Sequence, residues 1–217
     1  MLQRKIKTMK WLLLTWLVTI SLSIIPINSA QAKQLPSKAA FTPVMQDLTQ
    51  RFSQYLSEYV VVIVASEQKQ YLLHKGIPIQ QYPISTSEYG IGSKSGSNKT
   101  PLGVHIVKKK YGSNAKIGTI FKARANTGRI AKILTETGKR SKADNVTTRI
   151  LWLSGLEKGV NKGGNVDSHR RYIYIHGTDE EGRLGSPASH GCIRMNNQDV
   201  IDLYRSIPEG TLVVIIP

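Results

Sequence analysis

One cysteine and two histidines near the C-terminal end of the chain have the residue types of a nucleophilic site. Cys192 is the only cysteine among 217 residues, His190 lies two positions before it, and His176 follows a β-branched and aromatic run. Gly177 and Gly191 adjoin the two histidines. A nucleophilic thiol needs a base, and acyl transfer needs donors for an oxyanion. This stretch therefore offers candidates for all three parts, namely the nucleophile, its base and the oxyanion donors.

Either histidine could serve as the base. A free thiol with a pKa of ~8.5 is a few per cent thiolate at neutral pH, and a neighbouring imidazole is expected to lower that pKa. His190 is close in sequence, but a two-residue offset along a turn need not bring two side chains together. His176 is predicted at the end of a strand, from which a rigid scaffold could direct it at Cys192. The residues alone leave the choice open.

The segment from His176 to Arg194 resembles the signature of the L,D-transpeptidases, the YkuD-domain family of bacterial wall enzymes. Its matching residues are His176-Gly177-Thr178 and Ser189-His190-Gly191-Cys192-Ile193-Arg194. An upstream segment, Thr100-Pro101-Leu102-Gly103, resembles the Thr-Pro-x-Gly turn of the same family. The likeness runs from about Tyr59 to Pro217 and is weakest between residues 119 and 164.

The resemblance implies a role for each catalytic position. Cys192 is expected to be the nucleophile and His176 the proton acceptor and donor, with the backbone carbonyl of Gly177 orienting the imidazole. His190 and Gly191, with the N–H of Cys192, are expected to shape the nucleophile loop and the oxyanion hole. No cofactor and no metal are expected.

Two further residues of the signature are expected to contact substrate, namely Ser189 and Arg194. A guanidinium can bind a substrate carboxylate with two parallel hydrogen bonds. The alternative for Arg194 is a structural ion pair with a loop acid such as Asp179, and the sequence does not decide between them.

The implied reaction is a two-step acyl transfer on peptidoglycan stem peptides. Cys192 forms a thioester with the L-centre residue and releases D-alanine, and the amine of a second stem then forms a 3→3 crosslink. Water as acceptor would make the protein an L,D-carboxypeptidase, and a protein amine would attach that protein to the wall. A non-catalytic wall-binding module is a third alternative. The sequence does not identify the acceptor, the oligomeric state or the Gram type.

Two other enzyme classes fit the sequence less well. Ser66-Glu67-Gln68-Lys69 matches the S-x-x-K motif of serine acyltransferases, but it lies between two predicted strands and lacks the S-D-N and K-T-G partners. A zinc hydrolase could draw on His169, His176, His190 and Cys192, but these do not have the short, fixed spacings typical of zinc sites.

Residues 1–32 are predicted to be a signal peptide. Basic residues precede an apolar stretch from Trp11 to Ile27, and Ala30-Gln31-Ala32 has the small-x-small pattern of a cleavage site. An uncleaved membrane anchor is the alternative. Export predicts a periplasmic or cell-envelope location and argues against nucleic acid as the partner of a chain with a net charge of +16. An unpaired cysteine in an exported chain also favours a reactive thiol.

The sequence predicts a mainly β fold, a β-rich sandwich or barrel with one or two peripheral helices. Residues 33–58 are expected to form a linker and an amphipathic helix of unknown purpose, from Ala39 to Leu56, and residues 59–217 the catalytic domain. A second helix is expected to begin at Asn196 or Asn197 and end near Ser206. The predicted core residues are Val61, Ile63, Leu72, Ile84, Ile106, Leu151, Ile173, Ile175, Leu203, Val213 and Ile215.

Overall fold

The structure, a computed structural model, describes residues 35–217. The predicted signal peptide therefore lies outside the described residues. Residues 35–217 form ten strands and two α-helices in this order: α1 (Lys38–Arg51), β1 (Tyr59–Val64), β2 (Lys69–His74), β3 (Ile77–Ser85), β4 (Gly103–Tyr111), β5 (Thr119–Lys122), β6 (Ala125–Ile130), β7 (Val146–Gly155), β8 (Tyr174–Thr178), β9 (Ile193–Met195), α2 (Asn197–Ser206) and β10 (Leu212–Ile216). The predicted mainly β fold with two helices is confirmed.

Eight of the strands close into a barrel. They follow the order β4-β10-β1-β2-β3-β9-β8-β7, and β7 pairs back with β4 to complete the ring. The two remaining strands, β5 and β6, form a hairpin that extends from the Val146 end of β7. A closed barrel satisfies the backbone groups at sheet edges that would otherwise be open. The site is therefore carried by strands that are paired on both sides.

The interior of the barrel is the main hydrophobic core. Because successive strand residues point to opposite faces, the continuous apolar run of β1 divides between two environments. Val61 and Ile63 enter the barrel, whereas Val60 and Val62 face outward. α2 adds Val200 and Leu203 to the interior cluster. Its N-cap is Asn196, whose side chain accepts hydrogen bonds from the backbone of residues 198 and 199, as the sequence predicts.

α1 covers the outer face of the barrel. Phe41, Leu48 and Phe52 pack against outward-facing strand residues such as Val62 and Leu73. The helix ends at Arg51, not at the predicted Leu56. Phe52 leaves the helical conformation to bury its ring, and a single 3-10 turn follows. The role left open for this helix is therefore, at least in part, to cover apolar strands.

Ten of the eleven predicted core residues are buried in the interior cluster, and Ile106 is not. Ile106 is partly buried on the outer side of β4, next to the residues under α1. Alternation along the strand gives the neighbouring inward position to His105, which is 0% exposed. Its Nδ1 lies 3.0 Å from the Gly103 carbonyl oxygen and its Nε2 3.0 Å from the Ser168 hydroxyl.

The strand that carries His176 was predicted from Arg171 to Ile175 but runs from Tyr174 to Thr178. Tyr172 has a φ of +57° and closes a turn in which its N–H donates to the His169 carbonyl. The strand therefore starts at Tyr174, three residues later than predicted. Pairing with β7 on one side and β9 on the other carries it through Gly177. His176 thus lies inside the strand and not at its end.

Candidate active site

The predicted base lies on β8, and the predicted nucleophile directly precedes β9, the parallel strand beside it. In the register of β8 and β9, Ile175 is opposite Ile193 and His176 is opposite Arg194. Both isoleucines are in the barrel interior, so His176 is on the outer face. Cys192 directly precedes β9 and packs against the outer cluster around Tyr174. The pairing therefore brings the thiol and the imidazole to the same face of the barrel.

The His176 imidazole is buried and held in one tautomer. Its Nδ1 lies 2.8 Å from the carbonyl oxygen of Gly177, and the side chain is 2% exposed. A carbonyl oxygen only accepts hydrogen bonds, so Nδ1 carries the hydrogen and Nε2 is left as the proton acceptor. Burial lowers the pKa of His176 below its usual value. The ring is therefore neutral at neutral pH and suited to act as a base.

The Cys192 thiol is protonated in the free protein. Its sulfur lies 3.4 Å from the Tyr172 carbonyl oxygen and 3.4 Å from the Tyr174 N–H nitrogen. Burial raises the pKa of the thiol to about 11, although the Tyr174 N–H acts in the opposite direction. This differs from the lowered thiol pKa that the sequence led us to expect. A neutral thiol on the same face as a neutral imidazole implies that the proton moves when a substrate carbonyl is attacked.

Short hydrogen bonds fix the nucleophile loop, residues 189–192. The Ser189 hydroxyl donates to the Cys192 carbonyl at 2.6 Å and accepts the Gly191 N–H at 3.2 Å. Gly191 has a φ of +122°, and a Cβ there would lie 3.3 Å from the Lys99 carbonyl oxygen. Glycine is the residue that fits this backbone without strain. The predicted contact of Ser189 with substrate stays a prediction, since its buried hydroxyl is engaged inside the loop.

A charged network lies behind the nucleophile loop. Arg194 is 1% exposed, and its guanidinium contacts Asp144 and donates to Glu180 at 2.8 Å. Asp144 also accepts from Nδ1 of the half-exposed His190 at 2.6 Å. Burial acts to raise the pKa of Asp144, but Arg194 and His190 bring it below its usual value. The acid partners of Arg194 are therefore Asp144 and Glu180, and the suggested Asp179 instead bonds to Asn145.

Two cavities flank the loop, and His190 borders both. One, of about 300 Å³, lies over the charged network and is lined among others by Arg140, Asp144 and Arg194. The other, of about 240 Å³, is lined by Ser95, Gly96, Asn98, Arg170, Arg171, Tyr172, Ile173 and His190. The composition of the glycine- and serine-rich loop between residues 89 and 99 fits either a loop near the substrate channel or a solvated linker. The loop borders the site, as the first of these alternatives predicts.

Sequence reasoning missed several residues that surround Cys192. Asp144 and Glu180 lie in loops without a periodic pattern of residues. Their contacts with Arg194 could therefore not be predicted from the sequence. Arg171 donates to the backbone carbonyls of Gly92 and Lys99, and its positive charge favours the thiolate of Cys192. Thr100 was recognised within a motif but given no role.

Two absences hold for the part of the chain that the structure describes. Residues 35–217 contain no helix of the length and apolar character that a bilayer crossing requires. The same residues contain no group of three or more His, Cys, Asp or Glu side chains placed to hold a metal ion.

Comparison with known proteins gives one consistent family. The putative L,D-transpeptidase YkuD of Bacillus licheniformis is 44% identical over 67 residues, which is 29% of this chain and 41% of that protein. The putative L,D-transpeptidase YqjB of Bacillus subtilis is 51% identical over 45 residues, which is 21% of this chain and 26% of that protein. The matches thus span less than half the length of these relatives.

Solved structures of L,D-transpeptidases are similar to this chain at low sequence identity. An L,D-transpeptidase from Xylanimonas cellulosilytica is 20% identical with a TM-score of 0.45, covering 74% of this chain and 61% of that one. L,D-transpeptidase 3 from Mycobacterium tuberculosis is 15% identical with a TM-score of 0.46, covering 74% and 61%. The YkuD model of the L,D-transpeptidase catalytic domain matches residues 58–215. Since that match spans most of the chain, the protein belongs to the YkuD family of L,D-transpeptidase catalytic domains.

Proposed function

We propose that the protein is an L,D-transpeptidase that acts on peptidoglycan stem peptides through a cysteine thioester. The observation that carries this proposal is the outer face shared by β8 and the start of β9, which holds both Cys192 and a buried His176. The Gly177 carbonyl holds Nδ1 of that imidazole, so Nε2 is free to take a proton. Membership of the family supports the substrate class.

In the first step, the Cys192 sulfur attacks the carbonyl of the L-centre residue at its bond to terminal D-alanine. Nε2 of His176 takes the thiol proton and passes it to the departing amine of D-alanine. The carbon–nitrogen bond breaks and a thioester remains. Arg171, whose charge favours an anion at the sulfur, lowers the cost of this step.

In the second step, an amine of another stem attacks the thioester carbonyl and loses its proton to His176. The carbon–sulfur bond breaks, and the proton returns to the thiol. The two cavities on either side of the nucleophile loop suit a donor and an acceptor that approach from different directions. Water in place of the amine makes the protein an L,D-carboxypeptidase, and a protein amine makes it a wall-attachment enzyme.

We also propose that the protein is exported to the periplasm or cell envelope. The support is the basic and apolar pattern of residues 1–32 together with the location of peptidoglycan outside the cytoplasm. A fusion to a reporter that is active only after export tests this directly. Cytoplasmic retention of the full-length fusion would contradict it.

The chemistry is tested by mass spectrometry of the protein mixed with a disaccharide-tetrapeptide and stopped in acid. The expected product is an adduct with the mass of the substrate less D-alanine, absent in Cys192→Ala and slow to form in His176→Gln. Crosslinked dimers among the soluble products identify a transpeptidase, and tripeptides identify a carboxypeptidase. If iodoacetamide labels Cys192 but neither adduct nor product forms, the proposal is wrong.

A further inference from the structure

Arg124 is held in a fixed position at the tip of the β5–β6 hairpin. The turn residues Ala123 and Arg124 have φ values of +48° and +70°. Such values are uncommon in residues other than glycine and persist where surrounding contacts impose them. The guanidinium carbon lies 4.4 Å from the ring centre of Trp152 and 5.1 Å from that of Tyr172. Its Nη1 donates to the Tyr174 hydroxyl at 2.9 Å.

The three rings around Arg124 form a surface that we call the aromatic platform, which consists of Trp152, Tyr172 and Tyr174. His169 supports Trp152 by stacking on it, with 3.9 Å between ring centres and 9° between ring planes. The Trp152 Nε1–H also donates to the His169 carbonyl at 3.1 Å. Tyr172 is 53% exposed. The platform is thus rigid on its inner side and open to solvent on its outer side.

The platform adjoins the nucleophile. The Cys192 sulfur lies between the backbone carbonyl of Tyr172 and the backbone N–H of Tyr174. The side chains of these two tyrosines reach from that backbone to the Arg124 guanidinium. Arg124 is therefore about one tyrosine side chain away from the reacting sulfur, a separation of roughly two residues of an extended peptide.

Arg124 has no acidic partner among residues 35–217, since its described neighbours are tyrosines and Trp152. Arg194 and Arg183 differ, because they share Glu180. Arg171 also lacks an acidic partner among these residues, but its guanidinium is already engaged by the backbone carbonyls of Gly92 and Lys99. A guanidinium has five N–H donors, and one of them is used on Tyr174. The planar fork that remains matches a carboxylate.

We propose that Arg124, placed on the aromatic platform, binds a carboxylate of the acyl donor and so sets specificity for an anionic stem peptide. This inference rests on the proposed function. The buried pairs of Arg194 make Arg124 the better carboxylate ligand of the two. The carboxylate is that of terminal D-alanine or one on the side chain of the L-centre residue, and both place a negative charge within one residue of the attacked carbonyl.

The test measures binding and does not depend on turnover. In a Cys192→Ala background, calorimetry gives the Kd of a disaccharide-tetrapeptide, of its terminal amide and of its L-centre side-chain amide, with and without Arg124→Gln. Arg129→Gln, an exposed arginine of the same hairpin, is the matched control. We expect Arg124→Gln to weaken binding of the parent ligand by about ten- to a hundredfold, as for a hydrogen bond to a charged group.

The amides identify the carboxylate. One amide replaces the carboxylate that Arg124 binds. This amide should bind the Cys192→Ala protein as weakly as the free acid binds the protein that also carries Arg124→Gln. Adding Arg124→Gln should not weaken the binding of this amide any further. The other amide should behave like the free acid. Arg124→Lys should recover part of the affinity, because it keeps the charge but not the fork. Arg129→Gln should bind all three ligands normally.

Two results would overturn the inference. Arg124→Gln could bind all three ligands as tightly as the parent, or it could weaken all three equally, which would make the arginine a packing residue of the platform. Thermal unfolding and the iodoacetamide rate at Cys192, measured in the otherwise unchanged protein, show whether the variant is folded. If Arg124→Gln is unfolded, Arg124→Lys decides by the same comparison. Turnover by the unchanged protein separately decides the proposed function.

Discussion

The hydroxyl of Thr100 donates a 3.1 Å hydrogen bond to the carbonyl oxygen of Gly191, although 91 positions separate them in the chain. The same hydroxyl accepts the backbone N–H of Ser87 at 2.9 Å, and Thr100 is fully buried. One side chain therefore ties two distant segments to the nucleophile loop. This gives a physical purpose to the threonine of the Thr-Pro-x-Gly turn.

Replacing Thr100 by valine should lower both stability and activity. Valine has the same shape but leaves the Ser87 N–H and the Gly191 carbonyl buried without their partner. We expect a loss of about 1–3 kcal/mol in the free energy of unfolding, measured with urea, and slower adduct formation at Cys192. Thr100→Ser keeps the hydroxyl and is the control. A valine variant as stable and as active as the serine variant would show that the hydroxyl is dispensable.

The reactivity of Cys192 should rise steadily with pH. Burial raises the thiol pKa to about 11, so the thiolate fraction grows roughly tenfold per unit between pH 7 and pH 10. The rate of iodoacetamide alkylation, with Cys192→Ala as the blank, should follow this rise without a plateau near neutrality. His176→Gln should leave the profile unchanged while it slows the reaction with muropeptide. A plateau between pH 5 and 7 that His176→Gln abolishes would instead show a resting ion pair.

Two arginines of the charged network should differ in their effect on stability. Arg194→Met leaves the buried Glu180 without one of its partners and Asp144 without its guanidinium, and we expect a loss of about 3–5 kcal/mol. Arg140→Met removes an exposed pair with Glu88 and should cost at most about 1 kcal/mol. Urea unfolding measures both. Arg194→Met could instead be as stable as the unchanged protein but bind muropeptide poorly. Arg194 would then be a ligand of the substrate carboxylate, which is the first of its two expected roles.

His105 should make the protein less stable in acid. Burial lowers its pKa from 6.5 to about 4, so the unfolded chain takes up a proton between pH 6.5 and 4 while the folded protein does not. The contribution of neutral His105 to the free energy of unfolding is therefore complete above pH 6.5. It is lost as the pH falls, by about 3 kcal/mol between pH 7 and 4.

The measurement is urea unfolding at several pH values between 7 and 4. His105→Gln should flatten the dependence by about this amount, whereas Ile106→Val, a neighbouring change without a titrating group, should leave the slope as it is. Equal slopes in His105→Gln and the unchanged protein would assign the acid sensitivity to other groups.

Local sequence patterns predict the bounds of a strand well where the residues on both sides of the strand also indicate its ends. A β-branched run predicts a strand from Tyr59 to Ala65, and the Lys75-Gly76 turn predicts the end of the next one, from Lys69 to His74. β2 has these bounds, and β1 is one residue shorter than predicted. The start of β8 was wrong because the left-handed turn at Tyr172 depends on hydrogen bonds with residues of its own loop. Closure through β4 and β7 is likewise a long-range pairing that no local pattern encodes.

The candidate active site likewise contains residues that the sequence predicts and residues that it does not. Residue type and spacing selected Cys192 and His176, and the register of β8 and β9 places them on one face. The roles of these residues in catalysis stay predictions. Arg124 could not be distinguished from other cations of its basic segment, because only the folded hairpin sets it over Trp152. A charge run in a sequence does not reveal which member lacks a counter-ion.

The position of β10 also governs how the molecule can form. This strand, the last of the ten described, lies parallel to β1 and antiparallel to β4, so β1 and β4 meet their shared neighbour only after residues 212–216 exist. Such distant pairings slow folding because a long loop must close before any contact repays its entropy. Until β10 pairs, β1 and β4 each keep an unpaired edge that faces the other, and the barrel stays open between them.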